Sequence, residues 1–272
     1  MCAVSLPKPE TTGEDYFDVF LTLAALAEGE AVTFPPLEVV RAVNEGVAVT
    51  FALNMARDPI QNAHRLGQFY EEKELRILKR NLKPGCRVLD VGANVGNHAL
   101  FFALHAGAAR VVVVEPNPLA QAPLVANVVL NGLTEVIDMS ALGVGLGRTS
   151  EDGFWMKRHD KNLGATKMKR GGGPLAVHAG DDLFEGDEFD LIKIDVEGME
   201  MQVLAGLEQT IARCRPLLLV EVDEDHDDAF GIWAAQNGYQ TLKTVQHSPQ
   251  NCNYLMVPSS QQNPDDALGE LA

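Results

Sequence analysis

The sequence predicts a doubly wound α/β sheet with a helical segment in front of it. From residue 87 onward, short and nearly continuous apolar runs alternate with helical patterns, which is typical of parallel strands covered on both faces. A glycine-rich turn follows the first of these runs, and a ligand often binds at such a strand-to-helix turn. The last two apolar runs are separated only by a short polar stretch, so they predict an antiparallel hairpin.

The individual elements follow from this rhythm. Parallel strands are expected at 87–91, 110–115, 136–142, 189–196 and 215–222. Helices are expected between them in GNHALFFALHAG, PLAQAPLVANVVLNG and GMEMQVLAGLEQTIARC. A further helix, DDAFGIWAAQNG, precedes the two hairpin strands at 239–245 and 252–258. A strand–helix–strand alternation of this kind produces a parallel sheet with helices on both faces.

The sheet domain is expected at residues 83–258, with a mainly helical cap at 1–82. Within the cap, YEEKELRILKRNLKPG has amphipathic helix spacing and stops at a Pro-Gly pair, whereas GVAVTFAL predicts one short strand. Residues 259–272 are polar and predict a disordered tail.

Composition excludes several classes of protein. The formal net charge of −16 argues against a broad surface for nucleic acid, so no nucleic-acid partner is expected. The apolar run FLTLAALA is short and lacks a basic leader, so neither a signal peptide nor a membrane span is expected. The four cysteines are far apart and predict neither a zinc site nor disulfides; they are Cys2, Cys86, Cys214 and Cys252. These features predict a cytoplasmic protein.

The stretch VLDVGANVGNHAL at 88–100 indicates the ligand. A glycine turn lets main-chain amides approach a ligand, but the carboxylate of Asp90 would repel the pyrophosphate of a dinucleotide. The same carboxylate would hold an ammonium or a hydroxyl, and the dinucleotide pattern G-x-G-x-x-G is missing. Glu115 ends the next strand, where an acid can bind a ribose. The pattern favours S-adenosylmethionine, although a solvated strand end and a simple tight turn would also explain it.

Several motifs together resemble the FkbM family of S-adenosylmethionine-dependent methyltransferases. They are FYEEKEL, VLDVGANVGNHALFFA, VVVVEPNP, SALG, LIKIDVEGME and LLLVEV. The resemblance implies the class I methyltransferase fold, which is Rossmann-like, with seven strands and a terminal antiparallel hairpin. It also implies methylation of hydroxyl groups on natural products or sugars. Carried over by position, the expected cofactor-binding residues are Asp90, Gly92, Ala93, Asn94, Gly96, Asn97, Glu115, Pro116, Asn117, Ala141 and Leu142.

Ionisable residues should gather at the carboxyl ends of the strands. Lys193 and Asp195 share one face of their strand by period-two alternation, and Glu221 ends the next strand. Asp195 is the first candidate for the general base, and Lys193 and Glu221 are the other candidate catalytic residues. The alternative is a buried ion-pair network without a chemical role, since a lysine in so apolar a strand needs a partner. No metal ligand is assigned.

The basic segment 157–173 contrasts with the acidic remainder of the chain, because it carries six Lys or Arg and one Asp. It is either a solvated mobile loop or a lid that selects an anionic acceptor. The favoured function is O-methylation of a small molecule. The alternatives are N-methylation of an amine or peptide side chain, a non-catalytic S-adenosylmethionine-binding module, and a nicotinamide oxidoreductase.

Overall fold

The computed structural model of the chain describes residues 17–157, 161–248 and 250–261. Its N-terminal part contains helices, as predicted, together with a two-stranded antiparallel hairpin. The elements are α1 (Val19–Ala27), β1 (Glu38–Asn44), β2 (Val47–Leu53), α2 (Pro59–Arg65) and α3 (Glu72–Asn81). The sequence predicted β2 but not its partner β1. Residues 1–16 of the predicted cap lie outside the described residues.

Three parallel strands follow, joined by helices. The elements are β3 (Arg87–Val91), α4 (Asn97–His105), β4 (Arg110–Val114), α5 (Pro118–Leu130) and β5 (Ile137–Asp138). The first two strands confirm the prediction closely. The third is shorter than the expected 136–142, because after Asp138 the chain touches the sheet again only at an isolated bridge between Leu142 and Glu115.

Residues 144–179, which we call the insert, form a second sheet that the sequence did not predict. Its strands are β6 (Val144–Gly147), β7 (Glu151–Lys157), β8 (Lys167–Arg170) and β9 (Leu175–Ala179). Their order is β6-β9-β7-β8, so β8 is an edge strand. The short helix α6 (Gly180–Leu183) leads back to the main sheet.

The rest of the chain completes the main sheet. The elements are β10 (Leu191–Ile194), α7 (Glu200–Gly206), α8 (Glu208–Cys214), β11 (Leu217–Asp223), α9 (Asp227–Gln236), β12 (Tyr239–Ser248) and β13 (Asn251–Pro258). The single helix expected after β10 is divided into α7 and α8. Residues 259–261 form a short 3-10 turn, and the remainder of the predicted tail lies outside the described residues.

In the described part of the chain the main sheet has seven strands in the order β12-β13-β11-β10-β3-β4-β5. Strands β3, β4, β5, β10 and β11 are parallel, whereas β13 runs antiparallel to β11 and pairs with β12. This topology confirms the predicted class I methyltransferase fold. The chain leaves β3 toward β4 and later returns on its other side to β10, so the switch point lies between β3 and β10. Ligands of open α/β sheets bind outside the carboxyl ends of the strands at such a point.

Two apolar layers cover the sheet. Alternate residues of β4 point to opposite layers: Val111 and Val113 pack in one layer, and Val112 and Val114 in the other. The first layer also contains Phe51 of β2 and other side chains of the N-terminal segment. That segment is further tied to α5, because the Asn127 and Asn131 side chains accept hydrogen bonds from main-chain N–H groups of β2 at 2.6 and 2.8 Å. Within the described residues, no helix combines the length and apolarity needed to cross a bilayer.

Candidate functional site

The glycine turn after β3 is forced by the close approach of β10. Gly92 has a φ of +79°, and a Cβ at this position would lie 1.8 Å from the carbonyl oxygen of Asp195. The N–H groups of Gly92 and Ala93 both donate to the carbonyl of Val114, at 2.9 and 3.1 Å. A residue with a side chain therefore cannot occupy position 92. Glycine at this position lets the ends of β3, β4 and β10 lie close together.

An ion pair lies beneath this turn. The Nζ of Lys193 is 3.0 Å from a carboxylate oxygen of Asp90, 3.6 Å from one of Asp195, and donates to the carbonyl of Gly92 at 3.0 Å. Burial opposes the lysine charge, but the carboxylates of Asp90 and Asp195 outweigh it and raise the pKa of Lys193 above its ordinary value. Asp90 was predicted to hold an ammonium or a hydroxyl of a ligand. In the structure its fully buried carboxylate holds the ammonium of Lys193.

Glu115 stands at the carboxyl end of β4 with its carboxylate fixed from both sides. One oxygen accepts the N–H of Asn94 and the other accepts the N–H of Asn117, each at 2.7 Å. Burial raises the pKa of Glu115 to about 7, although these N–H groups favour its ionised form. Both oxygens keep an acceptor site after these bonds, which suits a ligand that offers two hydroxyl donors.

A cavity opens above the turn and beside Glu115. One wall comes from the turn and from β4, and a second comes from the segment after β10. The insert supplies the remaining walls, including Gly145 and Leu146 of β6 and a covering stretch from Leu163 to Met168. Six residues predicted for the site border this cavity: Gly92, Asn94, Glu115, Pro116, Asn117 and Asp195.

The other predicted residues lie around the cavity rather than on its surface. Asp90 and Lys193 are buried beneath the turn, Ala93 and Gly96 belong to the turn, and Glu221 is on the neighbouring strand β11. Asn97 instead joins α4 to the N-terminal segment, since its side chain accepts from the N–H of Tyr70 and donates to the carbonyl of Tyr70. Ala141 and Leu142 are buried and do not line the cavity, whereas Gly145 and Leu146, a few residues later in the chain, do line it.

Three carboxylates meet at the ends of β10 and β11. Oxygens of Asp195, Glu197 and Glu221 all lie within 4.8 Å of one another. Burial and the neighbouring acids raise the pKa of Glu221 to about 9 and that of Glu197 to about 7. Burial also raises the pKa of Asp195, against the opposing effect of Lys193. Asp195 borders the cavity with 34% of its side chain exposed, and it shares a raised pKa with Glu197, which also borders the cavity.

The described part of the basic segment is fixed over the cavity. The N–H of Leu163 donates to Oδ2 of buried Asp58 at 2.8 Å, while Oδ1 of Asp58 caps α2 by accepting the N–H of Gln61. The side chain of Leu163 packs in a small apolar cluster with Val95 of the turn. Sequence reasoning missed this contact, because nothing local in DPIQ or in NLGA indicates a partner so distant in the chain.

Two of its six basic side chains, Lys167 and Arg170, form ion pairs with carboxylates. Lys167 lies 3.0 Å from Asp223 and 3.8 Å from Glu197, and Arg170 forms an ion pair with Glu151. Residues 158–160 of this segment lie outside the described residues. Of the described remainder, residues 167–170 form strand β8, so the segment is not wholly a loop.

Comparison with known proteins gives a family match. Residues 90–256 match the model described as the Methyltransferase FkbM domain. Among solved structures, the chain is similar to methyltransferase FkbM from Methylobacillus flagellatus KT, with 21% identity and a TM-score of 0.44 over 64% of this chain. That match spans 44% of the other chain, which is less than half its length.

Two further structural likenesses are to enzymes that act on RNA. An rRNA methylase from Streptococcus thermophilus is 12% identical, with a TM-score of 0.45, over 68% of this chain and 94% of that one. The tRNA m1G37 methyltransferase of M. jannaschii is 11% identical, with a TM-score of 0.47, over 94% of this chain and 70% of that one. No curated protein matches the chain in sequence.

Proposed function

The chain belongs to the FkbM methyltransferase family, and we propose that it transfers a methyl group from S-adenosylmethionine to a hydroxyl group of a small molecule. The observation that carries the cofactor assignment is the carboxylate of Glu115, which two main-chain N–H bonds hold at the wall of the cavity. A carboxylate in this position at the end of the second strand is suited to the two hydroxyls of a ribose.

The residues around the cavity fit this cofactor. The cavity opens at the carboxyl ends of the strands, where ligands of open α/β sheets bind. Two of its buried side-chain oxygens, Oδ1 of Asn94 and Oγ1 of Thr166, have no hydrogen-bond partner among the described residues. Buried polar atoms of this kind are nearly always satisfied, so a ligand with polar groups is favoured over an apolar one.

S-adenosylmethionine, when bound, supplies an electrophilic methyl group on a sulfonium. The part of the protein is to orient the acceptor and, for a hydroxyl acceptor, to accept its proton. Asp195 is the proposed base, because it borders the cavity and its pKa is raised above that of an ordinary aspartate. Lys193 is proposed to keep Asp195 and the glycine turn in place through its contacts with both.

The chemical class of the acceptor is also a proposal. The hypothesis of an anionic acceptor depends on free positive charge in the basic segment, and the pairing of Lys167 and Arg170 with carboxylates weakens it. Three carboxylates beside the cavity favour a neutral hydroxyl, and they keep N-methylation of an amine as the second candidate. We also propose that the acceptor is a small molecule and that the protein acts in the cytosol. The thiols of Cys86, Cys214 and Cys252, which are unpaired in the described structure, are compatible with that compartment.

Two experiments test the proposal. Titration calorimetry with S-adenosylmethionine and with NAD, side by side, should give binding of the first alone; binding of NAD alone would contradict the cofactor assignment. Incubation with panels of alcohols, phenols, sugars and amines, followed by mass spectrometry, should then find acceptors that gain one methyl group. Glu115→Ala is the control that separates enzymatic from spontaneous methylation. Cofactor binding without turnover on any panel would favour the non-catalytic binding module.

A further inference from the structure

The insert places a buried hydroxyl at the cavity without a partner. Thr166 is 8% exposed and borders the cavity, and its Oγ1 makes no hydrogen bond to any described residue. A hydroxyl both donates and accepts, so a buried one is costly to leave unsatisfied and almost always has a partner. The sequence motifs of the cofactor loop do not include Thr166, which lies more than 60 residues after that loop.

The neighbours of Thr166 show which part of the cavity it covers. On one side, Gly164 lies over Asn94: a Cβ on this glycine would be 3.4 Å from the side-chain nitrogen Nδ2 of Asn94. On the other side, Met168 lies against Gly145, where a Cβ would be 2.5 Å from the methionine methyl group. Asn94 is bonded through its N–H to Glu115. The stretch that contains Thr166 therefore runs along the cavity from Asn94, on the Glu115 side, to Gly145.

The hydroxyl is also held in position. The N–H of Thr166 donates to the carbonyl of Leu163 at 3.2 Å, and Leu163 is itself bonded to Asp58. The next residue, Lys167, is paired with Asp223 at 3.0 Å. Because the chain is anchored on both sides of Thr166, little conformational freedom is lost when its hydroxyl contacts a ligand.

We propose that Thr166 is a cofactor-binding residue, whose hydroxyl forms a hydrogen bond with the nucleoside half of the bound cofactor. The inference rests on the proposed function, because Glu115 identifies that end of the cavity as the ribose side. It assigns a binding role to the insert, a part of the chain outside the cofactor loop. In this arrangement Glu115, at the end of a sheet strand, binds the ribose. Thr166, on the insert, forms a further hydrogen bond with the same nucleoside.

The test is titration calorimetry with two ligands, S-adenosylmethionine and 5′-methylthioadenosine, which contains the nucleoside but lacks the amino acid. Thr166→Val keeps the branched shape and removes the hydroxyl, so it should raise the Kd of both ligands by about 3- to 10-fold, as expected for one hydrogen bond. Thr210→Val is the matched control. Thr210 is fully buried on α8, outside the cavity lining, and its hydroxyl also has no partner among the described residues, so both Kd values should stay unchanged.

The outcomes separate this inference from the proposed function. If the wild-type protein binds neither ligand, the proposed function is wrong. If it binds both and Thr166→Val binds them equally well, the role of Thr166 is wrong. A loss confined to S-adenosylmethionine would place Thr166 on the amino-acid half and overturn the assignment to the nucleoside. Should the valine variant fail to fold, Thr166→Ser should bind like wild type and Thr166→Ala should not, and equal affinities of these two would refute the proposal.

Discussion

The N–H of Leu163 donates a 2.8 Å hydrogen bond to Oδ2 of Asp58, a residue 105 positions earlier in the chain. Asp58 is fully buried, and its other oxygen caps helix α2. One carboxylate therefore serves the N-terminal segment and the insert at once. The covering stretch of the cavity depends on a residue that belongs to neither the sheet nor the glycine turn.

Replacing Asp58 with Asn should separate these two tasks. The two N–H groups bond different oxygens of Asp58, and an amide replaces one of these oxygens with an NH₂ group, so either Gln61 or Leu163 loses its acceptor. The buried N–H left without an acceptor should lower the free energy of unfolding by about 1–3 kcal/mol and weaken cofactor binding. Urea unfolding and calorimetric Kd measure the two effects. Asp18→Asn, at the cap of α1, is the control: Asn caps a helix as well as Asp does, so neither quantity should change. Equal behaviour of the two variants would contradict the role of Asp58.

The glycine turn can be tested with a pair of glycines in similar backbone conformations. Gly92 and Gly132 have φ values of +79° and +66°, but a Cβ at Gly132 meets nothing within 4 Å. Gly132→Ala should lower the free energy of unfolding by about 1–2 kcal/mol, the cost of a left-handed residue with a side chain. Gly92→Ala adds a clash with the Asp195 carbonyl and should cost on the order of 3–5 kcal/mol and abolish cofactor binding. Equal losses in chemical denaturation would show that the close approach of β3 and β10 is unimportant.

Cofactor affinity should depend on pH through Glu115. Its pKa is raised to about 7, and only the ionised carboxylate accepts both ribose hydroxyls with full strength. The Kd for S-adenosylmethionine should therefore be lowest above pH 7 and should rise as the pH falls through about 7. Glu115→Ala should weaken binding by about 1.5–3 kcal/mol above pH 7 and flatten this dependence. Calorimetry between pH 6 and 8.5 decides the matter; an unchanged pH dependence in the variant would assign it to another group.

Asp195→Asn separates catalysis from binding. The amide keeps the shape of the side chain but cannot accept the proton of the acceptor, so kcat should fall about 10²–10⁴-fold. The Kd of the cofactor should change much less. Both quantities are measured on wild type and variant at several pH values, with an acceptor from the screen. Full turnover with an unchanged pH profile would rule out Asp195 as the base and direct attention to Glu221.

The carboxylate cluster should make stability depend on pH in an unusual direction. The pKa of Glu221 is about 9 in the folded protein and near 4.5 in the unfolded chain, so the folded state binds the proton more tightly. The stabilisation from that proton is complete below pH 4.5 and is lost as the pH rises through about 9. Glu221→Gln should therefore be more stable than wild type by about 1–3 kcal/mol at pH 8.5, and by much less at pH 5. Thermal unfolding at both pH values measures this. Glu185→Gln, at an exposed position, should show no such difference.

The sequence was most informative where burial is strongest. Strands β3, β4, β10 and β11 are covered on both faces, so their apolar runs are visible without any knowledge of partners. Strand β8 has the sequence KMKR and lies in the segment predicted as a solvated loop or a lid, but it is an edge strand, where lysine and arginine are tolerated. Strand β1 was missed for a related reason, since most of its residues are exposed or half-exposed.

The site divides in the same way. The turn at Gly92 and the acid at Glu115 are placed by local chain geometry, and a spacing argument found both. Asp90 was predicted to contact the ligand. A sequence does not reveal that Lys193 lies directly beside Asp90 on the neighbouring strand β10. Asp58 and Thr166 could not be found, because their roles depend on how the insert folds back over residues far away in the chain.

The family match and the continuous apolar core of this protein have different borders along the chain. The family match begins at residue 90, yet Phe51 and Phe69 share one continuous apolar layer with Phe101 and Val111. A chain trimmed to start at residue 83 would bare that layer to water and leave Oδ1 of Asn127 without its donor at Ala52. We therefore expect residues 17–82 to unfold together with the sheet, although the family match begins only at residue 90.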